Sequence, residues 1–316
     1  MSKKTGYWIG GITLALLLIC ALSFGFGTLI AGSLNRDSGL TGGESVALIR
    51  VEGVIQAGKP PGDLFGSSAA GAYSDTIVEH LKQANENNNI KAVILRINSP
   101  GGGVVASDEI YEQVAAMDKP VLVSMGTMAA SGGYYISAPA TEIWANRHTL
   151  TGSIGVIIQF VNLEGLLEEY GIEADVVKSG NNKDTGSLFR AMTENEKEIW
   201  QAIIDESYDV FVQIIVTGRG LDEEAVRQLA DGRVYTGQQA FDLGLVDNLG
   251  NLGDVIDRAA ELADIEGEPN IIEYGQPPSL FGGLLDGLKQ PSPAEELQDL
   301  LHVNTGPIPL YLYTGQ

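Results

Sequence analysis

The 316-residue sequence is poor in cysteine, histidine and basic residues, and these shortages exclude several classes of protein. The single cysteine, Cys20, rules out an intrachain disulfide framework and a zinc site built from several cysteines. Only 19 lysines and arginines stand against 41 aspartates and glutamates, which gives a formal net charge of −22. A nucleic-acid partner is therefore not expected, because nucleic-acid binding needs basic residues to neutralise phosphates. The acidic residues show no cluster of ligands at a fixed spacing, so neither a metal nor another cofactor is expected.

The residues that are plentiful indicate a folded globular protein. Apolar residues make up 44% of the chain and charged residues 19%, which excludes disorder for most of its length. Glycine is frequent, with 40 residues, but it follows no Gly-X-Y period. This pattern excludes collagen and predicts tight turns.

A long uncharged stretch lies near the N-terminus. No residue between Lys4 and Arg36 is charged, and residues 7–31 are almost wholly apolar. A helix of about 25 residues is about 37 Å long, which is enough to cross a hydrocarbon core of about 30 Å. We therefore expect residues 7–32 to form a transmembrane anchor in the lipid bilayer.

The charges that flank this stretch predict its orientation. Lys3 and Lys4 precede it, so the positive-inside rule keeps residues 1–6 in the cytoplasm. The rest of the chain is then exported, and we expect a single-pass protein of the cell membrane. The alternative is a cleaved signal peptide with a small-residue cleavage site at 31–33, although the apolar run exceeds the usual h-region of about 7–15 residues. Residues 33–44 are rich in glycine and polar residues and are predicted to form a linker.

Residues 45–265 show alternating strand and helix patterns. Short apolar runs predict strands at 46–55, 92–98, 120–125, 142–146, 154–159 and 173–177. Helical spacing predicts helices at 75–88, 105–117, 133–137, 162–170, 193–217, 222–230, 237–242 and 251–264. This alternation indicates an α/β fold of βαβ units with a mainly parallel sheet, in which ligands bind at the carboxyl ends of strands. Residues 266–316 form a C-terminal extension, and its apolar tail at 308–313 is a candidate for docking on a groove or on a neighbouring subunit.

The first of two glycine-rich turns is Ser99-Pro100-Gly101-Gly102-Gly103, directly after a predicted strand. Glycines let the backbone approach a ligand closely, and a helix that begins just beyond adds the positive end of its dipole. Backbone amides arranged in this way form an oxyanion hole, although a simple turn between strand and helix explains the same residues. A phosphate-binding loop is less favoured, because neither glycine fingerprint of nucleotide binding is present.

The second turn is Ala129-Ala130-Ser131-Gly132-Gly133, again between a predicted strand and a predicted helix. A serine flanked by small residues at such a turn is accessible, and the amide of Gly132 would lie beside a reacting carbonyl. The logic is that of a nucleophile elbow, although the sequence is not G-x-S-x-G. A serine that caps the helix N-terminus is the structural alternative.

A serine nucleophile needs a base, and the sequence offers few. His80 falls on the apolar face of a predicted helix and His302 in the tail, which leaves His148 as the histidine candidate. Lysine is the other option, since Ser-Lys pairs are a known variant of the catalytic triad. Lys183 follows the predicted strand at 173–177 on the expected ligand side of the sheet, whereas Lys197 belongs to an exposed helix pattern.

Taken together, several segments resemble signal peptide peptidase A of serine peptidase family S49, in its short single-copy form. The resemblance covers residues 45–265. The segments that carry it are Arg96–Gly102 (RINSPGG), Ser124–Ser137 (SMGTMAASGGYYIS) and Thr151–Val156 (TGSIGV), with weaker agreement at Arg233–Gly237 (RVYTG) and Gly244–Asp247 (GLVD).

The resemblance implies a ClpP/crotonase-like fold and peptide-bond hydrolysis by a Ser-Lys dyad. It assigns Ser131 as the nucleophile, Lys183 as the base and Ser153 as the residue that orients the lysine. It assigns the oxyanion hole to the amides of Gly102 and Gly132. It also implies that substrates are remnants of signal peptides and short apolar peptides. Proteins of this type resemble homo-oligomeric rings, so Lys183 could serve its own subunit or a neighbouring one.

Two positions depart from the family pattern. His148 stands where a histidine is not expected, which keeps it open as an alternative base. Asn182 precedes the lysine where an aromatic residue is common, which puts the local packing of that loop in doubt.

Two other classes of function fit parts of the sequence. A crotonase-like acyl-CoA enzyme would share the glycine-turn oxyanion hole but would need no membrane anchor. A non-catalytic membrane scaffold would keep the fold and its glycines without a positioned serine and lysine.

Overall fold

The computed structural model describes residues 43–60, 71–275 and 310–312. The expected anchor at 7–32 and most of the expected linker lie outside these residues. No helix in the described part of the chain is long and apolar enough to cross a membrane.

The described strands form two sheets. Their bounds are β1 Ser45–Glu52, β2 Ile55–Gln56, β3 Ala72–Tyr73, β4 Ile90–Ser99, β5 Gly101–Gly103, β6 Val121–Ala130, β7 Glu142–Ala145, β8 Leu150–Gly152, β9 Val234–Thr236, β10 Asn248–Leu249, β11 Asn270–Tyr274 and β12 Leu310–Leu312. The larger sheet has the order β10-β7-β6-β4-β1-β11, with β8 beside β6 and β9 beside β8. Its strands run parallel except in the β8–β9 pair. The predicted α/β fold with a mainly parallel sheet is confirmed.

The helices fall within a few residues of the predicted ranges. Their bounds are α1 Ser74–Glu86, α2 Val104–Ala115, α3 Gly132–Tyr135, α4 Glu164–Glu169, α5 Glu194–Arg219, α6 Glu223–Leu229, α7 Gly237–Asp242 and α8 Leu252–Leu262. Local chemistry explains the ends of the long helix α5. It begins at a capping box formed by Thr193 and Glu196, and it ends at Gly220, whose φ of 63° is left-handed.

The central strands are buried on both faces, and alternate residues join different parts of the core. In β1, Val46 and Leu48 pack in a cluster with residues of α8. Ala47 and Ile49 belong to the larger cluster, which includes residues of α1, α2 and α3. This alternation follows from the two-residue period of a strand. Since β4 and β6 are adjacent and parallel, the turns that follow them lie side by side.

The smaller sheet has the order β12-β5-β2-β3. The glycine strand β5 pairs in parallel with β2 on one side and antiparallel with β12 on the other. Residues 310–312 of the apolar tail therefore occupy a groove of the same chain, next to the first glycine-rich turn.

Two predicted strands are wrong. Residues 154–159 contain only an isolated bridge at Ile157, and residues 173–177 form no strand. Among the described strands none pairs with the second segment, and Val176 is 51% exposed there. Apolar β-branched residues form a strand only where a neighbour completes the hydrogen bonding and the packing.

Candidate active site

Ser131 occupies a strained turn at the junction of β6 and α3. Its φ of 51° and ψ of −114° are unusual for a residue with a side chain. The turn is fixed at both ends, because the Ser131 amide donates to the Gly152 carbonyl at 2.7 Å and its own carbonyl accepts from Tyr134 and Tyr135. The sharp change of direction resembles that of a nucleophile elbow.

The side chain of Ser131 is isolated from polar partners. It is only 1% exposed, and its Oγ has no hydrogen-bond partner among the described residues. It does not cap α3, so the alternative reading of this serine as a helix cap has no support. A buried hydroxyl without a partner costs free energy, which makes a purely structural role a poor explanation.

At Gly101 and Gly102, β5 lies too close to its neighbours to carry side chains. A Cβ on Gly102 would lie 1.9 Å from the Ile55 carbonyl oxygen. A Cβ on Gly101 would lie 1.9 Å from the Tyr311 carbonyl oxygen, and the φ of Gly101 is +103°. Only glycine fits between the backbones of β2 and β12.

The two glycine-rich turns meet beside Ser131. A Cβ on Gly132 would lie 3.1 Å from both the Gly102 amide nitrogen and the Tyr311 carbonyl oxygen. A Cβ on Gly101 would likewise lie 2.6 Å from the Gly132 amide nitrogen. The amides predicted to form an oxyanion hole are thus brought together, next to a carbonyl of the tail.

Ser107, in the first turn of α2, is a polar residue of this region that sequence reasoning missed. It is fully buried, and its Oγ has no partner among the described residues. The same Oγ lies 2.6 Å from the position of a Cβ on Gly132. Its position soon after the first glycine turn was the only signal in the sequence.

Ser153 lies near Ser131, because the residue before it is hydrogen-bonded to the Ser131 backbone. It follows Gly152, whose carbonyl accepts the Ser131 amide, and its own amide donates to the Arg233 carbonyl at 2.8 Å. Ser153 is buried and has a left-handed φ of 49°. The structure therefore groups Ser131, Ser153 and the two glycine turns.

Lys183 does not reach this group within one chain. It is exposed, in a loop where its amide donates to the Gly180 carbonyl at 3.2 Å. The Oγ of Ser131 has no partner, so no hydrogen bond joins the two side chains in the described chain. His148, the alternative base, is also exposed and makes no hydrogen bond to Ser131.

The loop that carries Lys183 is held to the start of α5 by Arg190. The Arg190 guanidinium donates to both carboxylate oxygens of Asp184, at 2.7 and 2.9 Å, and to those of Glu196 at 2.5 and 2.9 Å. These hydrogen bonds lower the pKa of Glu196 to about 2 and hold the pKa of Asp184 well below its ordinary value. Lys178 adds a further ion pair to Asp184 at 2.6 Å. The position of Lys183 is therefore fixed by ionic contacts of its neighbours.

The described residues contain no group of three His, Cys, Asp or Glu side chains that could hold a metal ion. The chemistry that this arrangement supports is that of a hydroxyl nucleophile beside backbone amide donors. Such a site can stabilise the negative charge of a tetrahedral intermediate.

Comparison with known proteins identifies the family. The sequence profile of peptidase family S49 matches residues 113–266. The chain is 35% identical over 292 residues to Protease 4 of Haemophilus influenzae, covering 85% of this chain but 46% of that protein. It is 41% identical over 233 residues to slr0021 of Synechocystis sp., named as a candidate protease, covering 73% of this chain and 79% of that protein. It is 33% identical over 256 residues to the chloroplastic serine protease SPPA of Arabidopsis thaliana, covering 79% of this chain and 37% of that protein.

Among solved structures, a ClpP1 mutant from Listeria monocytogenes matches 66% of this chain and 92% of that chain, with a TM-score of 0.43 and 18% identity. This similarity is too distant to carry an argument. The sequence relatives and the family profile are sufficient: the chain belongs to peptidase family S49 and is, by that membership, a serine peptidase.

Proposed function

We propose that this chain is a membrane-anchored serine endopeptidase with a ClpP/crotonase-like fold, which degrades cleaved signal peptides and other short apolar peptides. Ser131 and Lys183 form its catalytic dyad, Ser153 orients the lysine, and the amides of Gly102 and Gly132 form its oxyanion hole. The observation that carries the proposal is the buried, unpartnered Ser131 hydroxyl at a strained turn, beside two converging glycine amides.

The reaction begins when the uncharged amine of Lys183 takes the proton of the Ser131 hydroxyl. The Oγ attacks the scissile carbonyl carbon, and the two amides stabilise the resulting oxyanion. The protonated amine then gives its proton to the leaving amine as the peptide bond breaks. The uncharged lysine takes a proton from a water molecule as that water attacks the acyl-enzyme. The lysine then gives this proton to the Ser131 Oγ as the ester bond breaks, which releases the carboxylic acid product and restores the free serine and the uncharged amine.

The position of Lys183 supports a dyad formed between subunits. The loop is exposed, and Arg190 holds it to the start of α5. Exposed apolar side chains are frequent in the surrounding sequence: Val161, Leu166, Tyr170, Ile172, Val176, Leu188 and Phe189. Apolar surface of this kind is typical of protein–protein contacts. In a homo-oligomeric ring, a neighbour's loop can bring its lysine to Ser131.

The anchor expected at residues 7–32 places the site beside its substrates. Remnants of signal peptides remain in or near the membrane after cleavage. An enzyme tethered to the same bilayer meets them at a higher effective concentration than one in solution.

The direct test is cleavage of a synthetic signal peptide by the full chain in detergent. We expect the wild type to cleave it, and both Ser131→Ala and Lys183→Ala to be inactive while still assembled. His148→Ala is the control and should remain active. Full activity in Lys183→Ala with loss of activity in His148→Ala would transfer the role of the base to the histidine.

Mixing the two inactive variants tests the dyad between subunits. Co-assembled Ser131→Ala and Lys183→Ala chains contain some sites with an intact serine beside an intact lysine from the neighbour. Partial activity in the mixture is expected. If each dyad lies within one chain, the mixture stays inactive. Labelling of Ser131 by a fluorophosphonate separates the hydrolase from an acyl-CoA enzyme.

A further inference from the structure

The first half of the proposed oxyanion hole lies in a segment with little restraint of its own. Three successive glycines at 101–103 follow Pro100, and glycine has more backbone freedom than any other residue. The strand β2 holds them at a single registered pair, Ile55 with Gly102. An oxyanion hole needs donors that are oriented before the reaction begins. The direction of the Gly102 amide therefore depends on what else restrains this turn.

The hydroxyl of Ser99 makes hydrogen bonds to both backbone groups of Gly101. Its Oγ accepts from the Gly101 amide at 3.0 Å and donates to the Gly101 carbonyl at 3.5 Å. Pro100 has no amide hydrogen, so the Gly101 amide is the first backbone donor after Ser99. Serine hydroxyls commonly bond to the backbone two residues further on in turns. Both Ser99 and Gly101 are buried, so this contact replaces hydration of the turn.

These contacts set the direction of the next amide. The peptide unit between Gly101 and Gly102 is trans, so its carbonyl and its N–H point in opposite directions. Since the Gly101 carbonyl faces the Ser99 hydroxyl, the Gly102 N–H points away from that hydroxyl. A Cβ on Gly132 would lie 3.1 Å from the Gly102 nitrogen. The Ser99 hydroxyl thus holds the Gly102 amide beside the second glycine turn.

The backbone of Ser99 also contacts the second half of the site. A Cβ on Gly133 would lie 3.1 Å from the Ser99 carbonyl oxygen and 3.6 Å from the Ser99 Cβ. Gly133 lies in α3, two residues after Ser131. In the pairing of β4 with β6, Ser99 is the partner of Ala129. Ser99 therefore joins the first glycine turn to the elements on either side of the nucleophile.

We propose that Ser99 is a positioning residue of the peptidase, whose hydroxyl fixes the Gly101–Gly102 peptide unit so that the Gly102 amide points at the developing oxyanion. The proposal rests on the proposed function for the role of that amide. In Ser99→Ala the Gly101 amide would be buried without a partner, so the turn would rearrange to satisfy it. The oxyanion exists only after attack on the carbonyl, so the loss should appear in kcat and not in KM.

The first test is a pair of crystal structures, of the wild type and of Ser99→Ala. We expect the peptide unit between Gly101 and Gly102 to rotate from its wild-type direction in the variant. The remainder of β4 and β6 should be unchanged, because their registered pairs do not involve the hydroxyl. A peptide unit with the same direction in both structures would overturn the proposal.

The second test is the rate of cleavage of a synthetic signal peptide. We expect Ser99→Ala to lower kcat about 10- to 100-fold with KM unchanged, less than the 100- to 1,000-fold that loss of a whole donor typically costs. Ser74→Ala, in α1, is the matched control. Ser74 is equally buried, and its Oγ donates to a carboxylate oxygen of Glu109 at 2.6 Å. Both variants should lose stability in urea, but Ser74→Ala should keep its kcat. A wild-type kcat in Ser99→Ala would overturn the proposal.

A second pair of variants isolates the hydroxyl if Ser99→Ala does not fold. Ser99→Thr and Ser99→Val have side chains of nearly equal size, and only the first keeps the hydroxyl. We expect kcat of Ser99→Thr to exceed that of Ser99→Val by about 10-fold or more, with similar KM. Equal kcat in the two variants would overturn the proposal.

A peptide boronate distinguishes the transition state from the ground state. Its boron bonds to the Ser131 Oγ, whose proton passes to the base, and the adduct is a tetrahedral anion. Its affinity for Ser99→Ala should fall by about the same factor as kcat, since it carries the charge that the amides stabilise. Binding of the substrate peptide to Ser131→Ala should be the same with and without Ser99→Ala. An unchanged boronate affinity would contradict the proposed role of Ser99.

These measurements separate the proposal from the proposed function. A wild type that cleaves no peptide and binds no boronate defeats the proposed function, whereas a rotated peptide unit in Ser99→Ala still supports Ser99 as the residue that orients the amide. An active wild type whose Ser99→Ala variant is folded and equally active defeats the role of Ser99 alone.

Discussion

The strained, unpartnered Ser131 leads to a prediction about stability: removing its hydroxyl should make the protein more stable. The change is Ser131→Ala or Ser131→Gly, each made in a Lys183→Ala chain. The second substitution ensures that no amine from a neighbouring subunit can supply a partner to the hydroxyl. Both variants remove a buried hydroxyl that has no hydrogen bond in the described structure.

The magnitude follows from two separate costs. A buried hydroxyl without a partner costs about 1–3 kcal/mol, so alanine should raise the free energy of unfolding by about that amount. The backbone of Ser131, with φ 51° and ψ −114°, stores about 1–3 kcal/mol more, which glycine relieves. Glycine also gains about 0.4–1 kcal/mol of entropy in the unfolded chain, which offsets part of that relief. The expected order of stability is therefore Gly above Ala above Ser.

The assay is urea or thermal unfolding, with each variant compared with the Lys183→Ala chain. A gain of 1 kcal/mol raises Tm by about 2–4 °C for domains of about 150–250 residues. Ser137→Ala is the matched control, because Ser137 is equally buried but its Oγ donates to the Gly133 carbonyl at 2.7 Å. It should lose about 0.5–1.5 kcal/mol. If both Ser131 variants lose stability as Ser137→Ala does, the reasoning from the orphaned hydroxyl and the strained turn is refuted.

Three further predictions concern the glycine strand and the Lys183 loop. Gly101→Ala should abolish peptide cleavage while the fold persists, because its Cβ would lie 2.6 Å from the Gly132 amide nitrogen, a donor of the proposed oxyanion hole. Retained cleavage with an ordinary KM would contradict this. Arg190→Lys should lower kcat more than KM, since a lysine cannot make the paired contacts to Asp184 and Glu196; an unchanged kcat would show that the loop needs no such anchor. The pKa of Glu196 is lowered from 4.5 to about 2, chiefly by its hydrogen bonds with Arg190. The stability that this ionised carboxylate gives to the loop is therefore fully present above pH 4.5 and is lost as the pH falls toward 2. Hydrogen exchange of residues 178–190 should increase in that window, and an increase that is complete above pH 5 would contradict the assignment.

The sequence was sufficient for the central strands and for the meeting of the two turns. β4 and β6 contain uninterrupted apolar runs, at 92–95 and 121–123, as expected for strands buried on both faces. Once these strands are parallel neighbours, the turns after them must meet at one sheet edge, so the proximity of Gly102 to Ser131 follows. The roles assigned to these residues remain predictions.

Features that depend on distant partners were not predictable. Residues 173–177 have the composition of a strand, but nothing in their own sequence says that no neighbour will pair with them. The buried position of the Tyr311 side chain depends on ring contacts with Tyr135 and Phe211, which are 100 or more residues away in the sequence. The ionic contacts of Arg190 depend on how a loop folds onto α5, which the local sequence does not show.

The glycine strand also has a consequence for the range of peptides that the enzyme can accept. A peptide that took the place of β12 along β5 would meet only main-chain groups, which every peptide shares. Such an edge fixes the register and the direction of a bound peptide, but it does not distinguish one amino-acid sequence from another. Discrimination between peptides must then come from side chains that flank this edge, so some positions of a bound peptide can be selected while the others vary freely.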